Sequence, residues 1–310
     1  MPAHEVDISW HVLRRIVQEW AGESAELAEV KPLEGGMINT TLALTTAAGE
    51  RCVLKVSPHR VDKSHEYEAY QLNLLRDLGL PVPKVYAWSL GTLDAPFSYI
   101  LIEFLDGVNL GAAKQQCPSD EFERLQDQLA EIVLKLHTRT SDHYQRVMDG
   151  GKTFGRWSDF FRDLYGNILH EAEKSQYITV KVRKQLDKVH ERLDTLLAHE
   201  DRPRLLHGDL WNTNILAAPN GNGHWRISGL LDPGCKYGDS ECELAYLELF
   251  HTCTPAFMKT YQQERKLSAD YHRVRKPIYH LYELANHVQL FGQEYVKPMM
   301  SALEKVMPLV

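Results

Sequence analysis

Three side chains stand at intervals that suit phosphoryl transfer. Leu205-Leu206-His207-Gly208-Asp209 is a short apolar run that delivers a carboxylate, and Asn214 follows five residues later, ahead of Ile215 and Leu216. A second apolar run, Ile227 to Leu231, interrupted by Ser228 and Gly229, ends in Asp232. A carboxylate placed like Asp209 can orient a hydroxyl nucleophile. An amide and a second carboxylate at strand ends can hold Mg2+ against phosphate oxygens, because that hard ion prefers oxygen ligands. The same letters also occur in plain surface turns, so the reading depends on what else the chain offers.

The N-terminal third offers groups for the phosphates. Glu34-Gly35-Gly36-Met37-Ile38-Asn39 separates two extended candidates, Leu27 to Leu33 and Thr40 to Thr46. It reads either as a hairpin turn or as a loop whose main-chain N–H groups of Gly35, Gly36, Met37, Ile38 and Asn39 approach a triphosphate. In Arg51-Cys52-Val53-Leu54-Lys55-Val56, strand alternation puts Lys55 on the face of Val53, opposite Cys52, Leu54 and Val56. Lys55 is then an edge-strand lysine pointing to water or a point charge for phosphates. A helix is expected from Ser64 to Gly79, stopped by Gly79 and Pro81. At about 100° per residue Glu68 shares a face with Leu72 and Leu75, and Glu66 falls on the other side. A carboxylate on the sheet-facing side needs a partner. Lys55 is the natural one, which selects Glu68 over Glu66.

Further elements must position these groups. Apolar residues at Val12, Leu13, Ile16, Val17 and Trp20 predict a first helix. Ser98 to Phe104 predicts a strand leading into Leu105-Asp106-Gly107. It ends either in a simple turn or in a connection where Ile102 backs an adenine ring and the main chain of Glu103, Phe104 and Leu105 reads its edge. Helices are expected over Phe122 to His137, Trp157 to Ala172, Val180 to Ala198 and Cys242 to Phe250, with helical pattern again from Tyr261 onward. No repeat or Ser/Gly-rich linker is visible, so the chain reads as two lobes of one catalytic unit. The expected division is 1–104, for nucleotide binding, and 105–310, for catalysis and substrate binding.

Composition narrows the partners. The 310 residues carry a net charge of −7, with 44% hydrophobic and 25% charged residues. That suits an ordinary globular protein and argues against nucleic acid, which wants a basic surface. No apolar run reaches the ~20 residues that span a membrane. Met1 to Trp10 carries His4, Glu5 and Asp7 and no apolar core, so no secretory signal is expected. Five scattered cysteines (Cys52, Cys117, Cys235, Cys242, Cys253) form no Cys-x-x-Cys pair and fit a reducing cytoplasm. No obligate protein partner is evident.

In this order (Gly pair, strand Lys, helix Glu, crossover strand, Asp-x4-Asn, strand, Asp) the chain resembles the aminoglycoside phosphotransferase and choline-kinase-like superfamily. His207-Gly208-Asp209-Leu210-Trp211, Asp232-Pro233, Tyr237-Gly238, Glu243-Leu244-Ala245 and Leu281-Tyr282-Glu283-Leu284-Ala285-Asn286-His287 are similar to the fructosamine (ketosamine) kinase branch. So are Trp157 with Phe160-Phe161, and Phe291-Gly292 with Tyr295. The resemblance implies a protein-kinase-like α+β fold, with a small antiparallel-sheet lobe and a mainly helical lobe. It implies ATP and Mg2+, and a small-molecule acceptor carrying a hydroxyl and an amine. It also implies Asp209 as the catalytic carboxylate, and Asn214 and Asp232 as metal ligands. Trp211, Asp239, Glu241, Asn286 and His287 become candidates for the acceptor. For Trp211 a core aromatic, and for Glu241 capping or ion pairing inside the lobe, are the competing readings. Other expected acceptors are aminoglycosides, choline, homoserine or methylthioribose; a catalytically inactive nucleotide-binding protein is the alternative of another class.

Overall fold

The period-two pattern of the N-terminal segments becomes an antiparallel sheet whose two faces carry different chemistry. The computed structural model describes residues 8–33, 40–57, 63–92, 96–147, 150–198 and 201–310. Gly35, Gly36, Met37, Ile38 and Asn39, the expected phosphate loop, lie outside the described residues.

In chain order the elements begin with α1 (Trp10–Ala21), β1 (Leu27–Pro32), β2 (Thr40–Thr46), β3 (Arg51–Ser57), α2 (Ser64–Asp77), β4 (Val85–Ser89) and β5 (Ser98–Glu103). There follow β6 (Val108–Asn109), α3 (Leu110–Gln116), α4 (Ser119–Thr138), β7 (Gln145–Arg146), α5 (Trp157–Ala172), α6 (Val180–Leu196) and β8 (Arg204–Leu206). The last group is β9 (Ile215–Pro219), β10 (Trp225–Leu230), β11 (Lys236–Gly238), α7 (Ser240–Leu249), α8 (Pro255–Glu264), α9 (Lys276–Phe291) and α10 (Val296–Val306). A single π-helical turn, Tyr271–Arg275, precedes α9. Among the described residues no helix is long and apolar enough to cross a membrane.

Packing divides the chain into two compact units. The first is Met1–Glu121 with Thr213–Pro233, and the second is Phe122–Asn212 with Gly234–Val310. This is a division by packing. The expected boundary at 104–105 is one of role.

In the first unit five strands form an antiparallel sheet in the order β1-β2-β3-β5-β4. Cys52, Leu54 and Val56 of β3, with Tyr99 and Leu101 of β5, bury one face against Val12, Leu13, Ile16 and Val17 of α1. Ser9 caps α1, its side chain accepting from the Val12 N–H. The alternate residues of β3, Val53 and Lys55, pair across the strands with Ile102 and Ile100. That face is covered by α2 through the buried Ala69, Leu72 and Leu75. A second, three-stranded sheet orders β10-β9-β6. Glu121 clips its hairpin, accepting from the main-chain N–H of Trp225 at 2.9 Å and bonding His224 Nδ1 at 2.8 Å.

The second unit is helical around a small sheet in the order β7-β11-β8. Helix α7 runs through its interior, with every residue from Ser240 to Leu247 buried. It packs on α9, and α9 also packs on α5 and α10. Trp157 at the start of α5 is buried against Phe160, Phe161 and Tyr279.

Leu54 is fully buried at the centre of β3, opposite Leu42 and Leu101. Leu54→Ala should therefore lower stability by about 2–5 kcal/mol, read as a fall in the urea midpoint. An unchanged midpoint would show that the α1-facing layer does not hold the sheet.

Candidate active site

The strand and helix periods bring Lys55 and Glu68 together in the first unit. Lys55 Nζ donates to Glu68 Oε1 at 2.5 Å, and each side chain is 13% exposed. Lys55 Nζ also donates to Asp232 Oδ1. Burial pulls the Lys55 ammonium down, but the Glu68 and Asp232 carboxylates more than offset it and hold its pKa above the ordinary lysine value. Burial likewise pushes Glu68 up, and Lys55, with help from His65, overcomes it, leaving the carboxyl at about 2. The ammonium is thus a fixed positive charge.

The hairpin of β9 and β10 places the two expected metal ligands. Ile215 pairs with Leu230, and the Leu231 N–H donates to the Asn214 carbonyl at 2.8 Å. Asn214 and Asp232 therefore flank the open end of one hairpin. Asp232 has φ 55, a left-handed conformation uncommon for a residue with a Cβ and often found at functional positions. One amide oxygen and one carboxylate suit Mg2+, which takes few protein ligands and completes its shell with phosphates and water.

The hinge candidates lie where β5 ends. Ile102 is buried in the sheet. The Glu103 N–H donates to the Lys84 carbonyl at 2.8 Å, and its carboxylate accepts from the Lys84 N–H at 3.0 Å. β5 ends at Glu103, so the main chains of Phe104 and Leu105 lie beyond the sheet ladder. The Arg51 guanidinium sits 4.2 Å from the Phe104 ring centre.

In the second unit, β8 delivers the loop that carries Asp209. Gly208 has φ +84, and a Cβ there would stand 2.2 Å from the Gly234 carbonyl oxygen. The Gly234 N–H donates to the His207 carbonyl at 2.8 Å, so two loops interlock at a point only glycine fits. Glu243, 2% exposed, accepts from the main-chain N–H groups of His207 at 2.6 Å and Gly208 at 2.9 Å. Burial pushes the Glu243 carboxyl up, but His137, His207 and the Gly208 N–H outweigh it and keep it below the usual range. The Tyr246 hydroxyl donates to Asp209 Oδ1 at 2.5 Å. Burial and the neighbouring Asp209 push the Tyr246 phenol well up, so it stays a donor.

The acceptor candidates separate into two groups. Trp211 and His287 both meet Phe250, at ring-centre distances of 6.1 and 4.9 Å. Phe250 also meets Tyr246 at 4.8 Å, and His287 meets Tyr295 at 4.9 Å. Asn286 is half-buried on α9 beside His287. Asp239 and Glu241 are placed otherwise. Asp239 caps α7 through the Glu241 N–H, and its other oxygen accepts from the Tyr279 hydroxyl at 2.5 Å, which in turn accepts from Trp157 Nε1 at 2.8 Å. Glu241 accepts from the Ser268 N–H at 2.6 Å and the Ser268 hydroxyl at 2.9 Å, and lies 3.0 Å from Arg275 Nε. Both carboxylates are held by partners inside the unit, which is the capping and ion-pairing reading given for Glu241. The sequence reading passes over Tyr246 and Glu283. Glu283 is a nearly buried carboxylate on α9, four residues before His287. That i, i+4 step with His287 was the signal available.

A family model described as fructosamine kinase matches residues 9–308. The Escherichia coli (strain K12) protein named "Probable ketoamine kinase YniA" is 29% identical over 310 residues, covering 96% of this chain and 99% of that one. Among solved structures, one from Haemophilus somnus, described as "Putative fructosamine-3-kinase", has a TM-score of 0.77 at 22% identity, covering 96% and 97% of the two chains. Aminoglycoside phosphotransferase APH(4)-Ia, crystallised with AMP-PNP and hygromycin B, has a TM-score of 0.67 at 17% identity, covering 94% and 98%. The two structural likenesses fix the fold as protein-kinase-like α+β, as expected from the order of motifs.

Two outcomes follow from this geometry. Gly208→Ala must strain a left-handed residue against Gly234, so its denaturant midpoint should fall by the equivalent of about 1–3 kcal/mol; an unaltered midpoint would mean the loops are not interlocked. Glu68, depressed to about 2, stabilises the fold above its unfolded pKa of about 4.3 and loses that contribution as pH falls toward 2. Glu68→Gln should therefore flatten the acid limb of a Tm-against-pH curve below about pH 4.5. A limb as steep as in the unaltered protein would refute the pairing.

Proposed function

We propose, for a chain that belongs to the fructosamine kinase family, that it transfers the γ-phosphoryl group of ATP to a hydroxyl of a sugar carrying an amine. The observation that carries the reading is the buried Lys55–Glu68 pair with Asp232 on the same ammonium. It is a positive charge fixed in place, with little other use in a sheet so apolar.

Each residue then has a stated task. Lys55, held by Glu68, neutralises phosphate charge. The main chain of Glu103 to Leu105 reads the adenine edge, with Ile102 behind the base. The Gly35 to Asn39 segment covers the phosphates. Asn214 and Asp232 would hold Mg2+, which supplies further charge neutralisation when bound. Asp209 accepts a hydrogen bond, and then the proton, from the acceptor hydroxyl. A loose transition state needs positioning more than a strong base. The Tyr246 hydroxyl fixes Asp209 Oδ1. Trp211, His287 and Asn286 supply a surface for the acceptor. The nucleotide role falls to 1–104 and the catalytic and acceptor role to 105–310. The cytoplasm is the compartment that suits an ATP-dependent enzyme whose five cysteines form no disulfide.

The decisive experiment is ADP release with a fructosyl-amine, an aminoglycoside, choline, homoserine and methylthioribose. Fructosyl-amine turnover should lead. ATP binding without turnover on any acceptor would instead favour a nucleotide-binding protein. Asp209→Asn should reduce kcat about 10²–10⁴-fold and leave nucleotide Kd unchanged, whereas Lys55→Ala should impair both. Full turnover in Asp209→Asn would remove its assigned role.

A further inference from the structure

We propose that Glu283 supplies the negative charge that recognises the ammonium group of the acceptor, a role that rests on the phosphotransferase reading above and specifies its substrate. The buried carboxylates of the second unit are unevenly satisfied. In the second unit the other deeply buried carboxylates, Asp239, Glu241 and Glu243, are each held by donors from another segment. Glu283 is 8% exposed, and its carboxylate accepts no hydrogen bond and joins no ion pair among the described residues. A carboxylate left in that state is costly, so its position invites a partner from outside the chain.

The surroundings say what kind of partner. The groups that act electrostatically on Glu283, or it on them, are Lys236 from β11, Asp209 from the loop after β8, and Glu243, Tyr246 and Cys242 from α7, with Tyr282 on its own helix. Two carboxylates against one lysine make the neighbourhood acidic. Burial raises the Glu283 carboxyl to about 7; Lys236 opposes it, and Asp209 and Glu243 add smaller upward pushes. A cation would relieve this repulsion, and an anion would add to it. One turn along α9, His287 lies among Phe250, Phe291 and Tyr295 at ring-centre distances of 4.9, 5.3 and 4.9 Å. Aromatic faces beside carboxylates are a setting for an alkylammonium group. Glu283 lies within electrostatic reach of Asp209, which orients the hydroxyl, so the amine and the reacting hydroxyl of the acceptor would be held in the same unit.

Glu283 is neutral below about pH 7 and anionic above it. A cationic acceptor binds the anion, so binding near pH 7 should expel a proton. Calorimetric titration of the full-length protein with an N-alkyl fructosamine, in two buffers of different ionisation enthalpy, reads this release directly and needs no turnover. Glu283→Gln should abolish the release. It should also reduce the preference, in kcat/KM, for the N-alkyl fructosamine over its uncharged N-acyl counterpart by about 10–100-fold. Glu283→Asp should retain part of that preference, which a packing role alone would not predict. Equal losses on both acceptors, or unchanged proton release in Glu283→Gln, would overturn the proposal. If the unaltered protein releases no ADP with either acceptor yet binds the amine with proton release, the phosphotransferase reading fails and the ammonium site stands. The substitution should not hinder folding. A carboxyl raised by the fold stabilises it fully only below the unfolded pKa and loses that contribution as pH rises through about 7, so Glu283→Gln should melt no lower than the unaltered protein at pH 8.

Discussion

The second unit depends on keeping the charges of α7 satisfied. This helix is buried on all sides from Ser240 to Leu247, yet it carries Glu241 and Glu243 in that stretch, is capped by Asp239 and ends near Glu248. A buried carboxylate without partners costs several kcal/mol. Each therefore recruits a different piece of chain. Asp239 takes Tyr279 of α9; Glu241 takes Ser268 and Arg275; Glu243 takes the backbone of His207 and Gly208; Glu248 takes Tyr271 and Lys276. The loop that carries Asp209 is one of these recruited pieces. Its conformation follows from neutralising a helix, and Tyr246 on the same helix then steers the Asp209 carboxylate.

In the first unit the corresponding constraint is a single buried cation. Lys55 stands on the α2-facing side of a sheet whose neighbouring positions are apolar, so its ammonium needs compensation there. Two carboxylates from different segments meet it: Glu68 from α2 and Asp232 from the end of the second hairpin. Removing either leaves the remaining charges unbalanced. The pair is therefore a structural fastening as well as a candidate phosphate contact, and loss of activity at Lys55 has to be read beside a measurement of nucleotide affinity.

How much of this was legible in the sequence depends on the range of the information. The partnership of Lys55 with Glu68 follows from two local periods, two in the strand and 3.6 in the helix, applied to segments only thirteen residues apart. The fold class was legible for the same reason, since most elements are long and periodic. Helix α3 spans seven residues, under two full turns, and strands β6, β7 and β11 span two or three, too brief for a helical or strand period to show. The roles of Asp239 and Glu241 were not legible because their partners, Tyr279, Ser268 and Arg275, lie 27 to 40 residues further on and are chosen by packing. Letters alone cannot tell a carboxylate aimed at a ligand from one aimed at the interior. Glu283 stands in the Leu281-to-His287 stretch that resembles the family, but its letter alone gives no sign of its burial or its missing partner.

The contrast between α7 and α9 is the firmest guide to which carboxylates serve function. Acids on α7 are matched donor for acceptor, and a matched acid is explained by folding alone. Glu283 on α9 is close to the same burial and is unmatched. Lifting its carboxyl from 4.5 to about 7 costs on the order of 3 kcal/mol of stability at alkaline pH, a sizeable share of the margin a domain normally holds. A glutamine of nearly the same shape would avoid that loss. Retaining an ionisable group there makes physical sense if the charge is used when something cationic arrives, and the aromatic rings one turn along the helix, together with Asp209, point to where on the molecule that happens.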